Sequence, residues 1–183
     1  PTPGYSNTAS LAPQRLLMDN LRITEIMYNP QGNSTEPEYI EFRNISSTQQ
    51  LNLGTVKMSD GVVFQFPSGA VLNPGAFVCI TQVSESAFNA RYPGAPYGGT
   101  YTGSLSNGGE HLRLEIDGFE LGILDFSYAD SWYPVTDGGG AALEIVSASA
   151  DRSSWGEKPS WRATAANPGL NGVFGVIAGE DTT

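Results

Sequence analysis

Glycine and proline divide this chain into short segments, and that limits what it can fold into. Its 183 residues include 22 glycines and 12 prolines, many of them in turn-forming pairs. The pairs Asn29-Pro30, Asp60-Gly61 and Asp117-Gly118 favour tight turns between short extended runs. Proline breaks a helix interior and glycine weakens one, so little room remains for long helices. Because the glycines and prolines follow no fixed period, a collagen-like chain is excluded.

Between the turns, apolar and polar side chains alternate with the two-residue period of a β-strand. The clearest case runs from His111 to Ile116, and a predicted tight turn at Asp117-Gly118 follows it. Further strands are predicted at 21–28, 38–45, 56–59, 62–66, 76–81, 101–105, 119–126 and 142–146, with one short helix at 84–91. Many short strands separated by turns predict an all-β domain, built as an antiparallel sandwich or barrel.

The charged residues, the cysteine and the histidine exclude several classes of function. The chain carries 19 acidic and 9 basic residues, for a net charge of -10. This charge opposes direct binding to nucleic acid, which needs clustered lysine and arginine. One cysteine excludes an internal disulfide and a cysteine-based zinc site, and one histidine excludes a site of several histidines. No apolar run approaches the ~20 residues of a membrane span, so membrane insertion is not expected.

Several stretches taken together resemble the lamin-tail domain family, in particular its bacterial members. They follow one another in the family's order and spacing along residues 21–172. The stretches are Ile23–Pro30, Glu38–Asn44, Phe64–Pro67, Leu72–Gly75, Phe77–Ile80, Leu105–Leu114, Asp125–Tyr128, Trp132–Pro134, Asp137-Gly138, Ala142–Glu144 and Asn167–Gly169. One residue departs from the pattern, because Ala142 stands where bacterial members usually have serine before the Leu-Glu pair.

The resemblance implies an immunoglobulin-like antiparallel β-sandwich that works as an interaction module without catalysis. In bacteria it implies an accessory domain of secreted or surface proteins, so an extracellular or cell-surface location is expected. We predict a lead-in segment at 1–20 with one or two helical turns, the sandwich at 21–172 and an exit segment at 173–183. Because the chain begins at Pro1 without methionine, it is expected to be part of a longer protein.

The candidates for a calcium site are four carboxylates, Glu25, Glu41, Asp125 and Asp137. In a regular strand Glu25 would share the core-facing side with Ile23, where an unpaired charge is costly. Glu41 lies in the middle of the next strand, Asp125 interrupts an apolar strand, and Asp137 precedes three glycines. Oxygen ligands without cysteine suit Ca²⁺, which is the one cofactor that the sequence suggests.

The same carboxylates have a simpler interpretation, which we favour because no contiguous calcium-binding loop is present. In that interpretation Glu25 and Asp125 are structural residues. Each would pair with Arg22 or Arg43, or would accept hydrogen bonds from loop amides. A catalytic alternative is a hydrolase that uses Glu25, Glu41 and Asp125, with or without a metal. A glycosidase of that kind needs two carboxyls about 5–5.5 Å or 6.5–9.5 Å apart across an open cleft.

His111 and Cys79 are the remaining candidates for catalysis, and neither has a predicted partner. His111 lies on the polar side of an alternating strand, which predicts an exposed residue without a special role. Cys79 lies in an apolar strand, where a buried and unreactive thiol is expected. The chain also has no Gly-x-Ser-x-Gly sequence that would hold a serine nucleophile on a strained turn. We therefore predict no catalytic residues and no enzyme.

Aromatic side chains outside the strong strands are the candidates for binding a partner: Trp132, Tyr133, Trp155 and Trp161. Loop aromatics at one end of a sandwich stack on sugars or anchor a protein partner. They also close the ends of a core as plugs, and we favour that alternative. A second group with the same two interpretations is Tyr92, Tyr97 and Tyr101. The sequence thus predicts a non-catalytic interaction or scaffold module that binds a protein or a polysaccharide, or spaces neighbouring domains.

Overall fold

The computed structural model describes residues 8–32, 36–119 and 122–164. These residues form two β-sheets that face each other across a shared core, which confirms the predicted all-β sandwich. Parts of the predictions lie outside the described residues, namely residues 1–7 of the lead-in, residues 120–121 of one strand, residues 165–172 of the domain and the exit segment at 173–183.

Two helices and twelve strands follow one another along the described residues. Helix α1 (Thr8–Asn20) precedes the strands, and helix α2 (Glu85–Arg91) lies among them. The strands are β1 (Leu21–Met27), β2 (Tyr39–Asn44), β3 (Leu51–Asn52), β4 (Val56–Asp60), β5 (Phe64–Gln65), β6 (Val71–Leu72), β7 (Phe77–Thr81), β8 (Tyr97–Thr100), β9 (Glu110–Ile116), β10 (Gly122–Tyr128), β11 (Leu143–Ile145) and β12 (Trp161–Ala163). The segments between β10 and β12 include 3₁₀ turns at Asp130–Trp132, Pro134–Thr136, Arg152–Gly156 and Lys158–Ser160.

Six of the described strands form the large sheet, in the order β12-β11-β1-β2-β7-β8. Four others form the small sheet, in the order β10-β9-β4-β5, and β3 pairs with β6. Among the described pairs all are antiparallel except β7 with β8, which run parallel. A parallel pair needs a crossover connection, and the segment that contains α2 supplies it. The sandwich is thus antiparallel apart from this pair.

Strand β8 lies earlier than predicted, at Tyr97–Thr100 rather than at 101–105. Its two glycines, Gly98 and Gly99, lie against neighbouring parts of the sandwich. A Cβ atom at Gly98 would come within 2.5 Å of the Val78 side chain. Glycine is therefore needed at this position, because only a residue without a side chain lets the strand approach its neighbour so closely.

The main core lies between the two sheets and contains the inward-facing side chains of both. The large sheet contributes Leu21, Ile23, Ile26, Ile40, Phe42, Ile80, Leu143 and Ile145. The small sheet contributes Val56, Met58, Phe64, Leu112, Leu114, Ile116, Leu124 and Phe126. A second core lies on the outer face of the large sheet, beneath α2, and contains Met27, Tyr39, Cys79, Phe88, Tyr92, Ala95 and Ala142. Near α2 the large sheet is therefore covered on both faces.

A β-bulge in β1 changes which of its side chains face the main core. The pairing of β1 with β2 shifts register between Ile23 and Glu25. Ile23 and Ile26 consequently both contact the main core, although a regular strand would point them to opposite faces. Glu25 instead lies on the face beneath α2, where the Tyr39 hydroxyl donates a hydrogen bond to it. The prediction that Glu25 shares the core-facing side with Ile23 is therefore wrong.

Helix α1 is longer than the predicted one or two turns and spans 13 residues. Pro13 lies inside it, where the missing N–H removes one backbone hydrogen bond. Leu17 is buried in the main core, which ties the helix to the sandwich. Arg22 donates to the carbonyl oxygens of Met18 and Asp19 in the last turn, at 3.0 and 2.9 Å. Within the described residues, neither helix has the length and apolar character that crossing a membrane would take.

Candidate functional site

The structure places the four predicted calcium ligands in three separate regions. Glu25 and Glu41 lie opposite each other on β1 and β2 in the large sheet. Asp125 lies on β10 in the small sheet, and Asp137 lies in the segment between β10 and β11. Among the described residues, no group of three or more histidines, cysteines, aspartates or glutamates could hold a metal ion. The four carboxylates therefore do not form one calcium site.

Three glutamates and the cysteine form a row across the large sheet, which we call the carboxyl row: Glu144, Glu25, Glu41 and Cys79. Strand pairing sets each member opposite the next, from β11 through β1 and β2 to β7. Glu41 is 1% exposed, and its Oε2 atom has no hydrogen-bond partner among the described residues. Arg162 donates to Glu144 at 2.9 Å and supplies a counter-charge at one end. The centre of the row is therefore a buried acidic cluster.

Burial raises the pKa of the two central carboxyls. The pKa of Glu41 is raised to about 7, chiefly because burial penalises its charged form. The Thr24 hydroxyl donates to Oε1 of Glu41 at 2.7 Å and works against that shift. The pKa of Glu25 lies well above its usual range, first because of burial and then because of the nearby charge on Glu41. The Tyr39 hydroxyl donates to Glu25 and favours its ionised form.

The predicted ion pairs with Arg22 and Arg43 are not found among the described residues. Arg22 binds carbonyl oxygens at the end of α1. The guanidinium of Arg43 lies over the ring of Phe77, 5.0 Å from its centroid. Glu25 accepts a hydrogen bond from Tyr39, and Asp125 contacts His111. The predicted pairing of these two acids with Arg22 or Arg43 is therefore wrong.

His111, predicted to be exposed without a role, links two aspartates on the outer face of the small sheet. Its Nδ1 atom lies 2.7 Å from Oδ2 of Asp60, and its Nε2 atom lies 2.6 Å from Oδ1 of Asp125. The bond with Asp60, followed by the bond with Asp125, raises the pKa of the imidazole. The three side chains belong to β4, β9 and β10. The network is therefore a surface clamp that connects three neighbouring strands.

The hydrolase alternative built on Glu25, Glu41 and Asp125 does not fit this geometry. The two glutamates are buried in the large sheet, and Asp125 lies in the small sheet. A glycosidase needs its two carboxyls on either side of an open cleft, and buried residues at strand centres do not provide one. Cys79 is fully buried, and burial raises the pKa of its thiol well above the usual range, as expected for an unreactive cysteine.

The predicted aromatic binding residues divide into two buried and two partly buried side chains. Trp155 and Trp161 lie in the main core, which corrects their assignment as residues that bind a partner. The indole of Trp155 donates to the carbonyl oxygen of Ile23 at 3.0 Å. The indole of Trp161 donates to the carbonyl oxygen of Trp155 at 2.7 Å. Trp132 and Tyr133 pack against the same core and remain partly exposed.

The second group of aromatics does not form a surface patch either. Tyr92 and Tyr101 are buried, and Tyr97 is partly exposed. Tyr92 packs edge-on against Tyr39 beneath α2, with ring centroids 5.0 Å apart. Tyr101 instead lies under a polar depression at one end of the sandwich.

This depression, which we call the end cleft, opens where β1 ends and β2 begins. It has a volume of about 460 Å³, within the range of pockets that bind ligands. Its polar lining side chains are Asn29, Glu36, Glu38, Gln82, Ser104 and Asn107. They come from loops that lie far apart in the chain and meet at one end of a rigid scaffold, which is a common arrangement for binding sites.

Glu38 is the central residue of the end cleft, although it is not among the site residues predicted from the sequence. Its Oε2 atom accepts a hydrogen bond from the Tyr101 hydroxyl at 3.0 Å and another from the backbone N–H of Leu105 at 2.8 Å. Burial raises its pKa, and these two hydrogen bonds oppose the shift. The sequence held one signal, an acid at the start of a strand directly after a polar loop. Its partners lie more than 60 residues away, so no local pattern reveals them.

Asp137 holds one edge of the end cleft in place. The side-chain amide of Asn29 donates to Oδ1 of Asp137 at 2.6 Å, and the N–H of Gly138 donates to the Asn29 carbonyl at 3.0 Å. These bonds tie the end of β1 to the glycine-rich loop before β11. Asp137 therefore positions Asn29 in this structure.

Comparison with known proteins agrees with the observed fold. No curated protein and no solved structure matches the chain. The family model described as Lamin Tail Domain matches residues 18–128, which is more than half of the 183 residues. The matched segment runs from the end of α1 to the end of β10 and contains the polar residues that line the end cleft. The chain therefore belongs to the Lamin Tail Domain family.

Proposed function

We propose that the chain is a non-catalytic interaction module of a larger extracellular or cell-surface bacterial protein, and that it binds a protein partner at the end cleft. The Lamin Tail Domain family is a non-enzymatic family of immunoglobulin-like domains, which supports an interaction or scaffold role. The resemblance to bacterial members supports the location. The net charge of -10 argues against nucleic acid as the partner.

The end cleft is the observation that carries the proposal. It is preformed, because hydrogen bonds from Leu105 and Tyr101 to Glu38 hold its walls together. None of the described residues that line it is aromatic, so a sugar ring finds no stacking surface there. Its amide, hydroxyl and carboxyl groups instead suit the backbone and side chains of a peptide segment. This chemistry favours a protein partner over a polysaccharide.

The test presents the labelled domain to a peptide array and to a glycan array, together with a variant whose end cleft is filled. Ser104→Trp adds a large side chain at the exposed edge of the cleft. Ser68→Trp is the matched control, because Ser68 is exposed in the turn after β5, at the opposite end of the sandwich.

We expect the wild type and Ser68→Trp to bind the same peptides, and Ser104→Trp to bind them at least about tenfold more weakly. Three results would refute a protein partner at the cleft. They are equal binding by both variants, binding confined to the glycan array, and no binding by the wild type. The last result would leave the spacing of neighbouring domains as the role of the sandwich.

A further inference from the structure

We propose that the end cleft recognises a lysine or arginine side chain of the partner, with the Glu38 carboxylate as its counter-ion. This inference rests on the proposed function, because it names the chemistry that the same cleft would bind. Three observations support it: the position of Glu38, the Tyr101 hydroxyl that Glu38 shares with Gln82, and the charge of the lining residues.

Glu38 is a largely buried acid that lines the cleft, and only one of its two carboxyl oxygens accepts hydrogen bonds from the described residues. Its residue exposure is 9%, and both of its described hydrogen bonds reach Oε2. Its Oε1 atom has no hydrogen-bond partner among the described residues. Burying a carboxylate is costly unless a charge or hydrogen bonds compensate it. A bound cation would supply that compensation.

One hydroxyl next to Glu38 is shared between two acceptor oxygens. The hydroxyl oxygen of Tyr101 lies 3.0 Å from Oε2 of Glu38 and 3.0 Å from Oε1 of Gln82. A hydroxyl carries a single hydrogen, so at any moment it serves one of these two oxygens. The other oxygen is left for a donor from outside. A lysine ammonium brings three N–H donors and an arginine guanidinium brings five.

The charges around the cleft also favour a cation. Among the described residues that line it, none is lysine, arginine or histidine, whereas Glu36 and Glu38 are acidic. Arg91 donates to Glu36 at 2.8 Å and balances that residue, which leaves the charge of Glu38 uncompensated at the centre. The nearby carboxyl of Glu110 adds to the negative potential at Glu38. An anionic ligand would be repelled by this arrangement.

An organic cation fits the site better than a metal ion does. Calcium takes six to eight oxygen ligands, and the described residues include no cluster of three or more histidines, cysteines, aspartates or glutamates that could hold a metal ion. A volume of about 460 Å³ has room for a long basic side chain with part of its backbone. The aliphatic stem of lysine or arginine would pass Pro30 and Leu105, which also line the cleft.

The experiment titrates the isotope-labelled domain with Nα-acetyl-lysine methylamide and Nα-acetyl-arginine methylamide, whose side chains keep their positive charge. Binding is followed at the backbone amide of Leu105 by NMR. N-acetyl-norleucine methylamide has a similar shape without the charge, and calcium chloride and maltotriose test the other ligand classes. Glu38→Gln keeps an oxygen for Tyr101 and Leu105 but removes the charge. Asp117→Asn is the matched control, because it removes one exposed negative charge at the other end of β9.

We expect saturable shifts at Leu105 with the two basic probes and at least about tenfold weaker binding of the norleucine probe. Glu38→Gln should lower the affinity by a similar factor, and Asp117→Asn should leave it unchanged. In the wild type the affinity should rise as the pH increases and Glu38 ionises, which gives a readout that needs no variant.

Several results would overturn the inference: equal affinity for the norleucine probe, unchanged affinity in Glu38→Gln, or saturable shifts only with calcium or maltotriose. These failures are distinguishable from failure of the proposed function. If Ser104→Trp abolishes partner binding while the basic probes leave Leu105 unmoved, the cleft binds a partner and the cation is wrong. If Ser104→Trp binds the partner normally, the proposed function itself fails.

Discussion

At the scale of single residues, the Glu41 carboxyl links the stability of the domain to pH. Its pKa is raised from 4.5 to about 7, mainly by burial. An acid whose pKa is raised by folding contributes stability that is fully present below the unfolded pKa and is lost as the pH rises through the folded pKa. The ionisation of Glu41 should therefore lower the free energy of unfolding by about 3 kcal/mol between about pH 4.5 and pH 8.

Glu41→Gln should reduce the loss of stability with pH by about 3 kcal/mol, because an amide keeps an oxygen for Thr24 and does not ionise. The part of the loss that belongs to Glu25, whose pKa is also raised, should remain. The measurement is urea denaturation at pH 5 and pH 8. Glu85→Gln is the control, since Glu85 is exposed on the first turn of α2 and should leave the pH dependence unchanged. Equal loss of stability in the wild type and in Glu41→Gln would contradict the assignment of this dependence to Glu41.

At the scale of elements, α2 covers the second core, which contains Cys79 at one end of the carboxyl row. Phe88 is fully buried on its inner face, with ring centroids 6.0 Å from Tyr39 and 5.3 Å from Tyr92. Phe88→Ala should lower the free energy of unfolding by about 3–5 kcal/mol, because it leaves a cavity in the second core. The thiol of Cys79, in the same core, should then react faster with an aromatic disulfide reagent.

Ser86→Ala is the control for this change, because Ser86 is exposed on the same helix. It should alter neither the stability nor the rate of thiol modification by more than a small factor. The result that would contradict this role of α2 is a Phe88→Ala variant with the urea midpoint of the wild type and an unchanged rate of Cys79 modification.

The elements also show which features a sequence can predict. The hairpin of β9 and β10 was predictable because alternation and an Asp-Gly turn are local signals. The bulge between Ile23 and Glu25 was not, because it depends on how β1 pairs with β2. The end cleft was missed for a similar reason, since Glu38 meets Tyr101 and Leu105 only when distant loops converge. The alternation of apolar and polar residues thus predicted the sandwich. The positions of its buried polar side chains depend instead on contacts between residues that are far apart in the sequence.

At the scale of the whole molecule, residues beyond the matched segment 18–128 complete the fold. Strand β11 pairs with β1, and β12 pairs with β11, so the edge of the large sheet comes from the end of the described chain. Trp155 lies in the main core and donates to the Ile23 carbonyl across 132 positions of sequence. The guanidinium of Arg22 lies 5.9 Å from the centroid of the same indole. The beginning and the end of the sandwich are therefore joined by one side chain.

Trp155→Ala should consequently destabilise the whole domain rather than its last segment. We expect a loss of about 3–5 kcal/mol, a large share of the ~5–15 kcal/mol that stabilises a typical domain. Trp155→Phe keeps most of the ring but leaves the Ile23 carbonyl without its donor, which should cost about 1–3 kcal/mol. Urea denaturation followed by circular dichroism measures both changes. Trp132→Ala removes a partly exposed tryptophan and should cost less than either, and a larger loss there than in Trp155→Ala would contradict the central position of Trp155.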